Sequence, residues 1–377
     1  MAKAKIEGSS VEWSESGAFD IRFIDGMFDE GNPALAGILR PGGEDPAPRL
    51  LLVADSNVVH RTEGLGSKIG KYLNDCGVAL AGTPVVVGGG EKSKSDGMTS
   101  VRRVMEAAIE ARIGRNDFIF ALGGGAVLDV AGYAAAQVRG GVRLVRSPTT
   151  PASMVDGSFA LDACINCSGI KDALRLPSRP YAVVIDTNFA PTVLDGVWRG
   201  GAGEIIRYAA ARDAALLKKV AKTTEKIRNR DAATMSALVR ECVESRFKKG
   251  RTDFAQWSAL RMETMSGNKL PHGYAVPLAI CIDCAYASEK GYMKQEDMAM
   301  VCSALADCGA LDGLAHSLHI LNQGTSILYG LDAWRLSTGS EAIEVPAGIG
   351  KTVVEEKPDR GIFEKTIKDF LAASQDI

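Results

Sequence analysis

The stretch Gly123-Gly124-Gly125-Ala126-Val127-Leu128-Asp129 decides the fold. Before it lies Phe118–Leu122, an apolar run with the length of a buried strand; after it, Ala126–Gln137 is rich in small residues and reads as a helix. Glycines between a strand and a helix let the backbone approach a pyrophosphate, and the free N–H groups at the helix start supply a positive field. The spacing is not G-x-G-x-x-G, so it does not indicate an ordinary Rossmann dehydrogenase, and a plain tight turn is the alternative use of such a run.

Working outward, Leu50–Ala54, Pro84–Val87 and Val142–Val145 read as strands, and Thr62–Leu73 as a helix. Val101, Val104, Met105, Ala108 and Ile109 form one apolar helix face, with Gly114 as its stop. Short strands alternating with helices predict a parallel sheet with helical crossovers. Polar groups follow successive strands: Asp55-Ser56-Asn57, then Gly90-Glu91-Lys92-Ser93-Lys94, then Pro148-Thr149-Thr150. At the C-terminal ends of a doubly wound sheet such groups converge on one crevice. Beyond Pro151 the rhythm changes. Tyr181–Ile185 still reads as a strand, but most of the remainder has helical period, as in Met235, Leu238, Val239, Cys242 and Val243, closed by Gly250. We therefore expect two domains. Residues 1–155 form an α/β domain with a doubly wound, mostly parallel sheet, residues 156–377 form a mostly α-helical domain, and the active cleft lies between them.

Composition removes several function classes. Of 377 residues, 46% are apolar and 24% charged, a globular balance. Forty-four basic against 46 acidic side chains leave a charge of −2, without the basic excess of a nucleic-acid binder. Apolar stretches are interrupted well short of the ~20 residues of a membrane span, and Met1–Gly8 has no apolar leader core, so a cytoplasmic protein is expected. The eight cysteines are scattered. Cys164/Cys167 and Cys281/Cys284 lie too far apart in the chain to read as a four-cysteine zinc site, and small buried hydrophobes are the expected role. His316 and His319 share a helix face and read as surface or packing residues.

Taken together, the motifs resemble the dehydroquinate synthase-like sugar phosphate cyclases. The resemblance rests on the run from Gly123 through Gly132-Tyr133 to Ala135, on Arg139-Gly140, and on Ser147-Pro148-Thr149-Thr150 with Met154-Val155-Asp156. It continues through Gly169-Ile170-Lys171-Asp172, Gly203-Glu204-Ile205-Ile206-Arg207-Tyr208-Ala209, Asp253-Phe254, and His272-Gly273-Tyr274-Ala275-Val276. Iron-type alcohol dehydrogenases share the architecture and a similar glycine run, but the latter segments are more similar to the cyclases. Asp253–Trp257 and Gly348-Ile349-Gly350 look most like a cyclase branch found in bacterial pigment-export gene clusters.

The resemblance implies a chemistry. Bound NAD⁺ transiently oxidises a sugar hydroxyl, the ketone acidifies its neighbour, phosphate leaves, hydride returns and an aldol addition closes the ring. A zinc ion on one Glu and two His orients the hydroxyls. Carried over by position, Asp55, Asn57, Glu91, Lys94, Gly123, Gly124, Gly125, Asp129, Thr149 and Thr150 match the NAD segments. Glu204 and His272 match metal ligands, with Gln256 at the remaining ligand position. Asp156, Lys171, Arg207 and Arg139 match catalytic and substrate positions, and in the family that last arginine reaches across a homodimer interface.

Other positions depart. The family's G-H-x-x-x-H is here Ala255-Gln256-Trp257-Ser258-Ala259-Leu260, so an amide replaces an imidazole and Leu260 replaces the proton-transferring, phosphate-contacting histidine. Asp162 stands for a lysine, Asp172 for an asparagine, Arg207 for a lysine and Tyr274 for a glutamate. A neutral amide oxygen is a poor zinc ligand beside imidazole, leucine moves no proton, and arginine is too basic to shuttle one. These changes argue against dehydroquinate synthesis itself. The expectation is a divergent NAD-dependent cyclase, a carbon–oxygen lyase taking a polyol or sugar phosphate other than the usual heptulosonate phosphate. An inactive homologue kept as a binding or scaffold subunit and an NAD-linked polyol dehydrogenase remain open. So do plainer roles for Glu204, as a helix-dipole carboxylate, and for His272, as a hydrogen-bonded packing histidine.

Overall fold

The structure is a computed structural model and describes residues 16–40, 47–312 and 324–373; His316 and His319 lie outside them. Among the described residues nine strands precede the helical part: β1 (Asp20–Phe23), β2 (Arg49–Asp55), β3 (Ala79–Leu80), β4 (Val85–Val87), β5 (Phe118–Gly123), β6 (Arg143–Pro148), β7 (Asp162–Cys167), β8 (Ile170–Pro177) and β9 (Ala182–Ile185). The large sheet has the order β1-β9-β6-β5-β2-β3, with β4 also paired to β2. Every pairing in it is parallel.

Period-2 alternation explains why both faces are covered. Leu50, Leu52, Phe118 and Phe120 belong to one core, and Leu51, Val53, Ile119 and Ala121 to the other. The second core is closed by the helix Thr99–Glu110 through Val101, Val104 and Ala108, and by Gly125–Gln137 through Val127, Val130 and Ala134. Register then aligns the strand ends. Ala54 pairs with Leu122, Gly123 with Pro148, and Asp55 with Val87. The glycine turn, the Thr149-Thr150 segment and the Asp55 corner thus emerge side by side.

Two expectations are corrected locally. The helix expected over Thr62–Leu73 begins only at Leu65 and runs to Asp75, after Gly64 with φ +68, and a separate short helix, Ser56–Arg61, precedes it. The stretch after Pro151 is not uniformly helical, because β7 and β8 form an antiparallel hairpin that turns at Ser168-Gly169, both with positive φ. The expected strand at Tyr181–Ile185 is β9, which joins the large sheet between β1 and β6.

The helical part is organised by close helix crossings. A Cβ on Gly200 would lie 2.4 Å from the Cα of Gly273, so the helices Asp195–Arg212 and His272–Glu289 meet backbone to backbone. A Cβ on Gly201 would lie 2.3 Å from Pro151, which seats the same helix on the end of β6. Glycine is required at both contacts because no side chain fits between the chains. One turn beyond Gly200 stands Glu204, and next to Gly273 stands His272. The crossing is what brings them together.

Candidate active site

A cavity of about 480 Å³ opens where the strand ends face these two helices. On the sheet side it is lined by Asp55, Asn57, Glu91, Lys94, Gly124, Gly125, Asp129, Thr149 and Thr150; on the helical side by Asp156, Lys171, Glu204, Gln256 and His272. These are fourteen of the seventeen positions read from the sequence. Gly123 lies just beneath: its Cβ would meet Val127 at 2.8 Å and Asp55 at 3.0 Å, so it packs the turn and does not face the cavity. Arg207 is enclosed behind Glu204. Arg139 points away, its Nε donating to the Ile113 carbonyl at 3.0 Å, and the structure does not bring it to the cavity of its own chain.

The sheet side is shaped by backbone. Gly124 precedes the helix Gly125–Gln137 without any side-chain cap, which leaves the first N–H groups directed at the cavity. A Cβ on Gly125 would meet nothing within 4 Å, so its glycine keeps open space at this helix end. Asp55 caps the helix Ser56–Arg61 by accepting from the Asn57 N–H at 2.8 Å, which fixes its carboxylate at the cavity edge. Thr150 caps the short helix Pro151–Val155 through a reciprocal pair with Ser153, at 3.2 and 3.3 Å.

The helical side carries a ladder of alternating charge that reaches across to Glu91, Lys94 and Asp129 of the sheet side. Arg246 and Arg207 hold the two oxygens of Asp156 at 2.7 and 2.9 Å, and Arg207 Nε donates to Glu204 Oε2 at 2.9 Å. His272 Nε2 meets Glu204 Oε1 at 2.9 Å, and His272 Nδ1 meets Glu263 Oε1 at 2.8 Å. Glu263 Oε2 and Glu91 Oε1 each lie 2.7 Å from Lys171 Nζ. A second triad stands beside it: Lys94 Nζ contacts Asp129 at 2.6 Å and also Asp172. Asn166 ties the two together, donating to Glu91 at 2.9 Å and accepting from the Asp172 N–H at 2.8 Å.

Burial and neighbours set the charge states. Burial disfavours the Glu204 carboxylate, but Arg207 and then His272 outweigh it and hold the pKa down to about 2. Burial likewise opposes the His272 imidazolium, yet Glu263 and Glu204 push its pKa up to about 10. Despite burial, Asp172 is held down to about 2 by Lys94 and Lys171, and Lys171 is driven upward by Glu263 and Glu91.

The ligand positions fit a divalent cation with two strong donors and one weak. Glu204 Oε1 and His272 Nε2 face each other, and Glu263 on Nδ1 is the carboxylate that orients a ligating imidazole. A cation there would displace the Nε2 proton. Gln256 lines the same cavity, where its amide oxygen would be the third donor. Among the described residues no group of three His, Cys, Asp or Glu suits a metal.

Asp162, which stands for a lysine, does not face the cavity. It lies outside the cavity, with its carboxylate 3.5 Å from Arg175 and its carbonyl accepting from Arg146 at 3.3 Å, so it opposes no substrate. Tyr274 does not line the cavity; its ring rests against Gly196. Glu263, Arg246 and Asn166 are partners that the sequence reading missed. Glu263 carried a usable signal: with Gln256 and Leu260 it makes the i, i+4, i+7 face of one helix. Arg246 and Asn166 carried none.

Comparison with known proteins supplies context. Residues 84–198 match the family model "3-dehydroquinate synthase N-terminal" and residues 201–315 match "3-dehydroquinate synthase C-terminal". The 3-dehydroquinate synthase of Rhodopseudomonas palustris strain TIE-1 is 28% identical over 354 residues, covering 88% of each chain. That of Saccharolobus solfataricus is 26% identical over 268 residues, covering 67% of this chain and 73% of its own. Among solved structures, 2-epi-5-epi-valiolone synthase from Streptomyces hygroscopicus subsp. jinggangensis, with NAD⁺ and Zn²⁺ bound, superposes with TM-score 0.82 at 21% identity, covering 97% and 99% of the two chains. A 2-deoxy-scyllo-inosose synthase holding carbaglucose-6-phosphate, NAD⁺ and Co²⁺ gives TM-score 0.76 at 16% identity, covering 93% and 96%. The NADH-dependent butanol dehydrogenase A of Thermotoga maritima gives 0.67 at 14% identity, covering 95% and 98%.

Proposed function

This chain belongs to the 3-dehydroquinate synthase family, and from that premise we propose that it is an NAD-dependent, cyclase-like enzyme acting on a polyhydroxylated substrate other than the usual heptulosonate phosphate. One observation carries the reading: the uncapped glycine-turn helix and the Glu204–His272–Glu263–Lys171 ladder line the same cavity. Structures of the same fold hold NAD⁺ with Zn²⁺ or Co²⁺, and the donor sets here suit both kinds of group. NAD⁺ takes up and returns a hydride, and the metal polarises a hydroxyl oxygen.

The chain's own residues do the rest. The Gly125 helix end takes the pyrophosphate and Asp55 accepts from ribose hydroxyls. Glu204, His272 and Gln256 hold the metal, with Glu263 fixing the His272 ring. Lys171, anchored by two carboxylates, retains one N–H for a substrate oxygen at the cavity wall. Arg207 and Arg246 fix Asp156 where it can orient a substrate hydroxyl. Arg139 contributes from a partner subunit, so the working unit is a cytoplasmic homodimer.

A second reading, an NAD-linked polyol dehydrogenase, is favoured by Leu260, which places no proton-transfer group on that wall. Incubation with NAD⁺ and a panel of polyols and sugar phosphates separates the cases. Nicotinamide that is reduced and then reoxidised during turnover supports the cyclase. Free NADH accumulating with ketone identifies the dehydrogenase. No reduction with any member leaves an inactive binding subunit.

A further inference from the structure

We infer that Asp283 is a positioning residue for the cation site: it holds the turn that starts the helix Gln256–Met265 and so aims the Gln256 amide. The inference rests on the reading that Glu204, His272 and Gln256 hold a divalent cation. It adds a residue that lies outside the cavity lining.

The turn itself asks to be held. Ala255, immediately before Gln256, has φ +63, the left-handed region that a residue with a Cβ disfavours. No side chain caps the helix start, so support must come from other elements. Three side chains supply it. Arg207 Nη1 donates to the Thr252 and Phe254 carbonyls, each at 3.1 Å. Glu344 Oε2 accepts from the Asp253 N–H at 2.7 Å and from Thr252 Oγ1 at 2.6 Å. Asp283 Oδ2 accepts from the Ala255 N–H at 3.1 Å. Of the three, Asp283 alone grips the residue next to the ligand position.

Its burial points the same way. Asp283 and Ala255 are both fully enclosed, and Asp283 Oδ1 completes no hydrogen bond among the described residues. A carboxyl in that setting is costly, and its bond to Ala255 is what it returns. Asp283 also shares the helix His272–Glu289 with His272, so one helix presents a ligand directly and fixes another through the turn. The supported helix carries Gln256 at its start and Glu263, which orients the His272 ring, two turns later. A weak amide donor gains most from being fixed beforehand, because no ordering cost is then subtracted from its small contribution.

The experiment uses the full-length protein freed of metal by a chelator. Zn²⁺ is titrated by calorimetry, and visible absorption of the Co²⁺-loaded protein is recorded for the same variants. Asp283→Leu, of the same branched shape but without an acceptor, should bind Zn²⁺ about tenfold or more weakly than wild type. Its Co²⁺ spectrum should move toward that of Gln256→Ala. Asp283→Asn keeps an acceptor oxygen and should stay within about threefold of wild type. In the Gln256→Ala background, Asp283→Leu should change the affinity by less than about twofold, since no amide remains to be aimed. A general loosening of the fold would act with or without Gln256. Should Asp283→Leu not fold, Asp283→Ser, whose shorter side chain withdraws the acceptor, carries the same expectation. Affinity within about twofold of wild type in the Leu or Ser variant, or an equal loss with and without Gln256, overturns the inference while the cation reading stands. A wild-type protein that binds no divalent cation overturns both.

Discussion

The two walls of the cavity are built on different principles. At the glycine turn the sheet side relies on backbone: an uncapped helix end, a glycine facing open space, and Asp55 held by a turn two residues long, while its Glu91, Lys94 and Asp129 side chains join the charge ladder of the opposite wall. The helical side relies on side chains drawn from distant parts of the chain. Glu204 and His272 are 68 residues apart, and Arg207 and Asp156 are 51 apart. A backbone-built wall tolerates exchange of the side chains around it, because its ligand is read by N–H groups and space. A side-chain wall is a coupled unit in which each charge depends on its neighbours. The departures from the family's motifs read in the sequence, Gln256, Leu260, Asp172 and Arg207, fall on the side-chain wall and not at the glycine turn.

Breaking the coupled wall should therefore cost stability first. Glu204→Ala strips a fully buried guanidinium of one of its two carboxylates and should destabilise by about 3–5 kcal/mol in urea unfolding. A change below about 1 kcal/mol would show that the ladder is not coupled to the fold. Next comes the crossing that assembles the wall. Gly200→Ala places a Cβ against the Gly273 backbone, and should cost roughly 3 kcal/mol while reducing divalent-cation affinity, as followed by calorimetry.

Acidity sharpens the comparison further. Asp172 has a folded-state pKa of about 2, below its ordinary value, because Lys94 and Lys171 outweigh the burial that opposes its charge. Its contribution is therefore present above the ordinary carboxylate range and is lost as pH falls through about 2. Asp172→Asn should be less stable than wild type near neutrality by on the order of 2 kcal/mol, with the gap closing toward pH 2. A gap that stays constant across an acid titration of unfolding would remove Asp172 from the network.

Legibility in the sequence follows the same division. The glycine run, the strands around it and the polar residues after each strand were readable, because local backbone geometry demands those residue types near one another in the chain. Arg207 was found by motif, but its place behind the wall was not, since a motif gives position and not depth. The β7–β8 hairpin was missed because Cys164, Ile165 and Asn166 carry only a short apolar signal, and the turn depends on Ser168 adopting positive φ. Asp162 stands for a lysine yet lies outside the cavity, which sequence position alone could not show: a residue at a lysine's position need not point where the lysine points. Glu263 was within reach of a helix-face argument, whereas its bond to Lys171 spans the two halves of the chain and left no trace in either segment.

The smallest effect is also the most direct test, because it separates the walls. NAD⁺ is titrated by calorimetry into wild type, Gly125→Ala and Lys171→Met. The account predicts one NAD⁺ site per chain in wild type, weakened by about tenfold in Gly125→Ala with no loss of stability, and kept within about threefold in Lys171→Met. Absence of NAD⁺ binding in wild type, or equal affinity in wild type and Gly125→Ala, would contradict it.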